Sequence, residues 1–226
     1  MNSHPQASFP TSIMGHVGKI NCLCFKRLMD TSLAWEAFES GEYELAKSRW
    51  VALLSSAQTQ KNLDSFNWGL GYTLVKLGKF LDAKKIWEEI FSRTKDHKAL
   101  HQVGMVERES GSYSRAFEIY LKESELIDDS DVLSKAVNLY ELSFCSHLKG
   151  DAASARRYLD EYRKYTGNGG DLIEEACFLR LEGDIFSKVD SKRAIVSYEA
   201  SLGKFLAAND EVGASEIRQR LEKLNT

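Results

Sequence analysis

Residues 78–83 read GKFLDA, and Trp87 follows four residues after the alanine. The same frame occurs as GEYELA at 41–46 before Trp50, as GSYSRA at 111–116 before Tyr120, and as GDAASA at 150–155 before Leu159. A fifth, degenerate copy, KVDSKRA at 188–194, precedes Tyr198 and lacks the turn glycine. Measured between the alanines, successive copies are 37, 33, 39 and 39 residues apart. Self-similarity at such a period predicts a repeat architecture.

An apolar-periodic segment precedes each turn, and a small residue lies about seven positions before it, at Gly71, Gly104, Ser143 and Gly183. The unit is therefore predicted to be helix A, a tight turn and helix B. The small residues let the two helices approach closely, and the large residue four after the alanine shares the alanine's helix face. One such pair cannot bury its apolar face alone, so the pairs are expected to stack into a continuous core.

The last segment, 212–224, is expected to cap this stack. It combines a charged face with an apolar stripe, which consists of Val212, Ile217, Leu221 and Leu224. A terminal helix with a polar outer side protects the end of a repeat array from solvent.

Composition supports helices joined by short turns. The chain has 226 residues and only two prolines, Pro5 and Pro10, so nothing after residue 10 interrupts a helix by proline. Hydrophobic residues make up 43% and charged residues 28%, which excludes wholesale disorder. A net charge of −3 argues against binding nucleic acid or a membrane surface through bulk charge. No apolar run approaches the ~18 residues of a membrane span.

The repeat pattern closely resembles the tetratricopeptide repeat (TPR), which has a period of about 34 residues. The resemblance covers about residues 30–202, is best at 66–90 and 100–120, and continues into the cap. It implies an all-α, right-handed superhelical solenoid of antiparallel helix pairs, with about five repeats in a domain at 29–226 and a capping helix at about 211–225. The sequence departs from the family because no proline ends a B helix and several spacings are longer.

Residues 1–28 differ from the rest of the chain, since they contain both prolines and only three charged residues. Two interpretations remain open. They form an N-terminal arm, ordered or disordered, or they are upstream sequence before a true start at Met29, which precedes a good helix N-cap cluster at 30–32.

Candidate chemistry is sparse. The four cysteines do not form a disulfide framework, and Cys22 and Cys24 lack a second ligand pair, so a reducing cytoplasmic compartment is expected. His97 and His101 would share a helix face that a metal could use, but no third ligand is evident. The glycine-rich residues 167–170 lack the preceding strand and following Lys-Ser/Thr of a phosphate loop, which favours a linker. We therefore expect no enzyme, cofactor or metal.

The resemblance implies that the A helices line a concave groove that binds a partner segment. Helical phase places ten candidate binding residues there: Trp35, Trp68, Tyr72, His101, Met105, Arg108, Tyr140, Phe144, His147 and Arg180. Aromatic residues, methionine and arginine are the types that interface cores favour. The alternative is that many of these aromatic rings fill the space between neighbouring repeats.

Two functions remain in competition. The first is a cytoplasmic module that binds a protein or peptide partner, with no nucleic acid or membrane involved and with homo-oligomerisation left open. The second is a receptor for a short signalling peptide, similar to the TPR quorum-sensing receptors of Gram-positive bacteria. Those receptors usually have an effector domain, for which only residues 1–28 are available, so the first function is preferred. The Lys/Asn/Arg clamp of chaperone-binding repeat proteins is absent.

Overall fold

The computed structural model describes residues 22–165 and 171–224, with side chains from Asp30 onward. Within these residues the chain is all-α, with eleven helices and no strand. The helices are α1 (Cys22–Glu39), α2 (Tyr43–Ser55), α3 (Gln60–Lys76), α4 (Phe80–Thr94), α5 (His97–Glu109), α6 (Tyr113–Ser124), α7 (Val132–Leu148), α8 (Ala152–Tyr165), α9 (Leu172–Phe186), α10 (Ser191–Ala207) and α11 (Glu211–Leu224). The linker predicted at 167–170 and residues 1–21 lie outside the described residues.

The described residues divide into two compact units after Ile127. The N-terminal unit contains the pairs α1–α2, α3–α4 and α5–α6, and each pair packs on the next one. The C-terminal unit contains α7–α8 and α9–α10, with α11 packed on α10. The predicted A helices are α1, α3, α5, α7 and α9, the B helices are α2, α4, α6, α8 and α10, and α11 is the cap. Helix α1 begins at Cys22, so it includes residues 22–28, which the sequence analysis assigned to the arm.

The four predicted turn glycines all adopt the left-handed conformation, with φ between 70° and 83°: Gly41, Gly78, Gly111 and Gly150. Each turn closes with the same two backbone hydrogen bonds. In the second, Gly78 N–H donates to Val75 O (2.9 Å) and Lys79 N–H donates to Leu74 O (2.8 Å). This is the Schellman arrangement, which satisfies the last carbonyls of helix A and favours glycine because a Cβ is disfavoured at positive φ.

The joints without a turn glycine close differently. Between α9 and α10, Asp190 caps the second helix by accepting a hydrogen bond from the Arg193 N–H. Between α10 and α11, Asn209 adopts φ 57°, and the Asp210 N–H donates to Phe205 O. Asparagine is the usual substitute for glycine in this conformation.

Close contact between A and B helices depends on the predicted small residues. A Cβ added at Gly71 would lie 2.6 Å from the Trp87 ring, and one added at Gly183 would lie 2.4 Å from the Tyr198 ring. The frame alanines are fully buried, namely Ala46, Ala83, Ala116, Ala155 and Ala194. The large residues four positions later are buried beside them, which confirms the predicted packing frame.

The cap α11 packs through Ile217, which is fully buried, and through Leu221 and Leu224. Val212 corrects the predicted apolar stripe, because its side chain is 66% exposed. The small residue of this helix that contacts α10 is Gly213, where a Cβ would lie 2.5 Å from the Phe205 ring.

Candidate functional site

The side of the N-terminal unit formed by its A helices, here called its A-helix face, presents a cluster of aromatic rings. Trp35 of α1 lies 6.3 Å from Tyr72 of α3, and Trp68 lies 6.1 Å from Tyr72, measured between ring centroids. All three side chains are only half-buried. The buried Trp50 and Trp87 support them from the B helices, at 5.1 Å from Trp35 and 5.3 Å from Tyr72.

The local sequence explains this arrangement. Gly69 and Gly71 face the flanking B helices, because a Cβ at either position would clash with Trp50 or Trp87. Trp68 and Tyr72 flank these two glycines in the sequence and are four residues apart, so the two rings share one face of α3. Burial raises the pKa of Tyr72 to about 12, so its ring is neutral at physiological pH.

Helix α5 places its three candidates differently. Met105 is 1% exposed and belongs to the core of the unit, which corrects its predicted position on an open groove. Arg108 is also buried, and its guanidinium lies 3.1 Å from the Glu109 carboxylate. Only His101 is half-buried, with its ring 5.2 Å from Tyr120. Helical phase predicts which side of α5 carries Met105 and Arg108, but it does not predict how deeply their side chains are buried.

His97 and His101 do share a face of α5, and the structure brings Glu123 of α6 against both. His101 Nδ1 is 3.0 Å from Glu123 Oε2, and His97 Nδ1 is 3.6 Å from Glu123 Oε1. The glutamate is buried. In the described part of the chain, no group of three or more His, Cys, Asp or Glu side chains has the geometry to hold a metal ion.

The A-helix face of the C-terminal unit combines rings with ion pairs. Tyr140 and Phe144 of α7 are stacked, with ring centroids 6.2 Å apart and planes at 15°. Arg180 of α9 is buried, donates from Nη2 to the Tyr140 hydroxyl (3.3 Å), and donates from Nη1 to Glu216 Oε2 (2.9 Å). Its predicted role as an exposed groove residue is therefore corrected to that of a paired, buried cation.

A second ion pair continues this network along the same face. Arg220 of α11 donates from Nε to Asp184 Oδ1 (2.9 Å), which also accepts from the Tyr198 hydroxyl (2.7 Å). His147 of α7 is half-buried, and burial lowers the pKa of its imidazole and so disfavours the charged form. The sequence analysis missed Glu216 and Arg220. Glu216 and Arg220 are four residues apart with Ile217 between them, and this spacing could have predicted that both lie beside the buried side of α11.

The two cysteine side chains that the structure describes take part in the packing of the C-terminal unit. Cys145 is buried and Cys177 half-buried, neither forms a disulfide among the side chains that the structure describes, and burial raises the pKa of Cys177. A thiol in this environment behaves as a small apolar side chain. Among the helices described, none has the length and apolar character needed to cross a membrane.

Comparisons with known proteins agree with the repeat geometry. No protein-family model matches this sequence, and no curated protein matches it either. Solved structures do match. Bacillus thuringiensis PlcR, solved with the peptide PapR7 and DNA, has a TM-score of 0.67 at 10% identity, over 91% of this chain and 76% of that chain.

Two further structures show the same similarity. Pseudomonas aeruginosa PilF has a TM-score of 0.59 at 16% identity, over 88% of this chain and 91% of that chain. A tetratricopeptide repeat protein from Parabacteroides merdae has a TM-score of 0.54 at 12% identity, over 87% and 79%. At these identities the likeness is one of fold. The chain therefore has the fold of the tetratricopeptide-repeat proteins, as its turns and packing frame predicted.

Proposed function

We propose that the chain is a non-catalytic module that binds a protein or peptide segment on its A-helix faces. The observation that carries this proposal is the half-buried cluster of Trp35, Trp68 and Tyr72. The core of the unit is already filled by Trp50 and Trp87 beneath it. Large rings left partly open on a rigid helical surface are costly in water and become favourable when a partner covers them.

Aromatic rings of this kind often supply most of the binding energy of an interface, because they bury a large area with few rotatable bonds. On the C-terminal unit, Tyr140, Phe144 and His147 offer a second partly open surface beside the Arg180–Glu216 pair. A partner segment there would meet polar groups that are already paired. We therefore assign the larger share of the affinity to the N-terminal face, and polar selectivity to the C-terminal face.

The alternative, a receptor for a short signalling peptide, shares this surface. The fold similarity to PlcR, a protein solved with a peptide and DNA, supports keeping it. It differs in the size of the ligand: a receptor binds a free short peptide, whereas a module binds a segment of a folded partner. The net charge of −3 favours a partner other than nucleic acid, and the reducing cytoplasm suits a chain whose two described cysteine side chains form no disulfide.

The test is affinity capture from the native cytoplasm with the double variant Trp68→Ala/Tyr72→Ala. We expect the wild-type chain to retain a specific protein and the variant to lose it by tenfold or more, since removing two interface rings costs at least about 2–4 kcal/mol. The matched control is Leu81→Ala, which trims an 83% exposed side chain on helix α4. Circular dichroism confirms that both variants remain folded.

Each outcome has a clear meaning. If the captured protein binds both variants equally, the A-helix face of the N-terminal unit is not its binding site. If only small peptides are recovered, by mass spectrometry of the heat-released ligand, the receptor alternative replaces the module.

A further inference from the structure

A second surface of the C-terminal unit, away from its A-helix face, gathers three arginines. Arg156 and Arg163 come from α8, and Arg193 comes from α10. Beneath them lies one face of α9, formed by Phe178, Glu182 and Phe186 at successive spacings of four. We call Arg156, Arg163 and Arg193 the arginine site.

A single buried carboxylate holds two of these arginines. Glu182 Oε1 accepts from Arg163 Nη2 (2.6 Å) and from Arg193 Nη2 (2.8 Å), and Oε2 accepts from the Ser197 hydroxyl (3.0 Å). Burial alone would raise the pKa of Glu182, but the hydrogen bonds from Arg193, Ser197 and Arg163 and the charge of Arg163 outweigh it and keep the pKa below its ordinary value. Because both arginines reach one oxygen, their guanidinium groups lie side by side.

Aromatic rings fix the remaining freedom of the arginines. The guanidinium carbon of Arg193 lies 3.7 Å from the Phe186 ring centroid, that of Arg156 lies 5.6 Å from the same ring, and that of Arg163 lies 4.9 Å from Phe178. The Arg163 and Arg193 side chains are nevertheless 46% and 45% exposed. Each guanidinium has five N–H donors, so most of them stay available to a ligand in a preorganised geometry.

The charges of this surface do not balance. Two guanidinium groups bond to one buried carboxylate, and that of Arg156 lies over the Phe186 ring, so the three arginines exceed this buried carboxylate by two positive charges. Asp160 lies on the same face of α8 but is exposed, where solvent screens its effect. Asp190 Oδ1 caps α10 by accepting a hydrogen bond from the backbone N–H of Arg193, and its carboxylate keeps its negative charge. A ligand that fits would carry about two negative charges on several oxygens close together.

We propose that the arginine site binds a phosphoryl group carried on a side chain of a partner protein. A phosphorylated side chain carries a charge of about −1.5 to −2 at pH 7 and three acceptor oxygens, and arginine forks bind such groups by paired hydrogen bonds. A carboxylate has one charge and two oxygens, so it would leave one guanidinium without a partner. The site is separate from the A-helix faces and is independent of the function proposed for them.

The experiment is a titration of the full chain, followed by NMR of the arginine Nε–Hε signals and able to detect millimolar binding. The probe is a Gly/Ser-rich peptide with one phosphoserine, compared with its serine and glutamate counterparts, with inorganic phosphate and with a short double-stranded RNA. We expect the phosphoserine peptide to shift the signals of all three arginines and to bind about tenfold more tightly than the glutamate peptide, as one lost charged hydrogen bond implies.

Two variants keep the test independent of folding. Arg156→Ala removes the one arginine that does not brace Glu182, and it should weaken binding of the phosphoserine peptide about tenfold. Arg157→Ala, the neighbouring arginine over Tyr158, is the matched control and should change the affinity less than twofold. Asp160→Asn should strengthen binding about twofold, because it removes an exposed negative charge nearby.

Several results would overturn the proposal. These are equal binding of the glutamate and phosphoserine peptides, an unchanged affinity in Arg156→Ala, or binding of inorganic phosphate without the phosphopeptide. Tighter binding of the RNA, lost in Arg156→Ala, would assign the site to nucleic acid instead. The variant Trp68→Ala/Tyr72→Ala should leave phosphopeptide binding unchanged, so failure of one proposal is distinguishable from failure of the other.

Discussion

The A-helix faces of the two units use equivalent repeat positions for different chemistry. In α3, Tyr72 directly follows the small residue Gly71, and Trp68 lies three residues before that glycine. The Trp68 and Tyr72 ring centroids lie 6.1 Å apart. In the ninth helix, the same positions are Asp184 and Arg180, and each is bonded to a charged side chain of α11. At these positions one face therefore has a cluster of tilted rings, whereas the other has a chain of ion pairs.

Beneath these faces the two units are alike. A Cβ added at Gly71 would lie 2.6 Å from the Trp87 ring, and one added at Gly183 would lie 2.4 Å from the Tyr198 ring. The residues that pack helix A against helix B are thus different from those on the A-helix face. Because the packing frame is satisfied by small and large residues on one side of each helix, the opposite side can vary without loss of the fold.

The largest expected effect tests the frame itself. Trp87→Ala removes a fully buried ring that contacts α3, and we expect it to destabilise the chain by about 3–5 kcal/mol. The measurement is denaturant unfolding followed by circular dichroism. Leu81→Ala, on the exposed side of the same helix, should stay within about 0.5 kcal/mol of wild type. Similar losses in both variants would mean that the two sides of α4 are not divided as described.

The next effect comes from overpacking the frame. Ala83 and Ala116 are fully buried between helices, so Ala83→Leu and Ala116→Leu should each cost about 1–3 kcal/mol. Ala52→Leu, on the exposed side of α2, is the matched control because it adds the same atoms at the surface. Unfolding curves that coincide with the wild-type curve for both buried variants would contradict the register of the repeats.

A smaller effect separates stability from specificity on the C-terminal face. Arg180→Met leaves Glu216 half-buried without its 2.9 Å partner, and should cost about 1–2 kcal/mol. Adding Glu216→Leu should restore most of the loss, since apolar residues often replace a buried ion pair without penalty. A double-mutant cycle in urea measures this coupling. If the destabilisations caused by Arg180→Met and Glu216→Leu are additive, Arg180 and Glu216 do not stabilise the fold as an ion pair. The two A-helix faces would then differ less in their chemistry.

Sequence reasoning succeeded where the signal was local. Gly78 and Gly111 predict turns because few other residues adopt a positive φ. Gly104 predicts a close helix–helix contact because no larger residue fits beside Tyr120. These constraints act over one helix pair, so the repeat of the frame reveals them. The fold class followed from such positions.

Burial depth and long-range pairing were not predictable in the same way. Met105 and Trp68 share the phase of an A-helix face, yet only the ring of Trp68 stays partly open. Arg180 donates a hydrogen bond to Glu216, which is 36 residues away in the sequence, and Arg163 donates one to Glu182, which is 19 residues away. Helical phase gives a direction within one helix, whereas these outcomes depend on how neighbouring helices pack.

The smallest effect concerns the hydroxyl group of Tyr72. Burial raises its pKa from 10.0 to about 12, so the folded state favours the neutral phenol. The stabilisation linked to this shift is complete below pH 10 and is lost as the pH rises from 10 towards 12. Tyr72→Phe should therefore change stability at pH 7 by less than about 0.5 kcal/mol and remove this alkaline loss.

The measurement is a tyrosinate absorbance titration of both proteins, with unfolding curves at pH 7 and pH 11. The difference between wild type and Tyr72→Phe isolates one phenol, and it should titrate well above pH 10 while the chain is folded. A difference that titrates at the ordinary pKa would place Tyr72 in open water. The ring cluster on the N-terminal face would then be looser than its 5.3 Å contact with Trp87 indicates, and the sharpest contrast between the two faces would be lost.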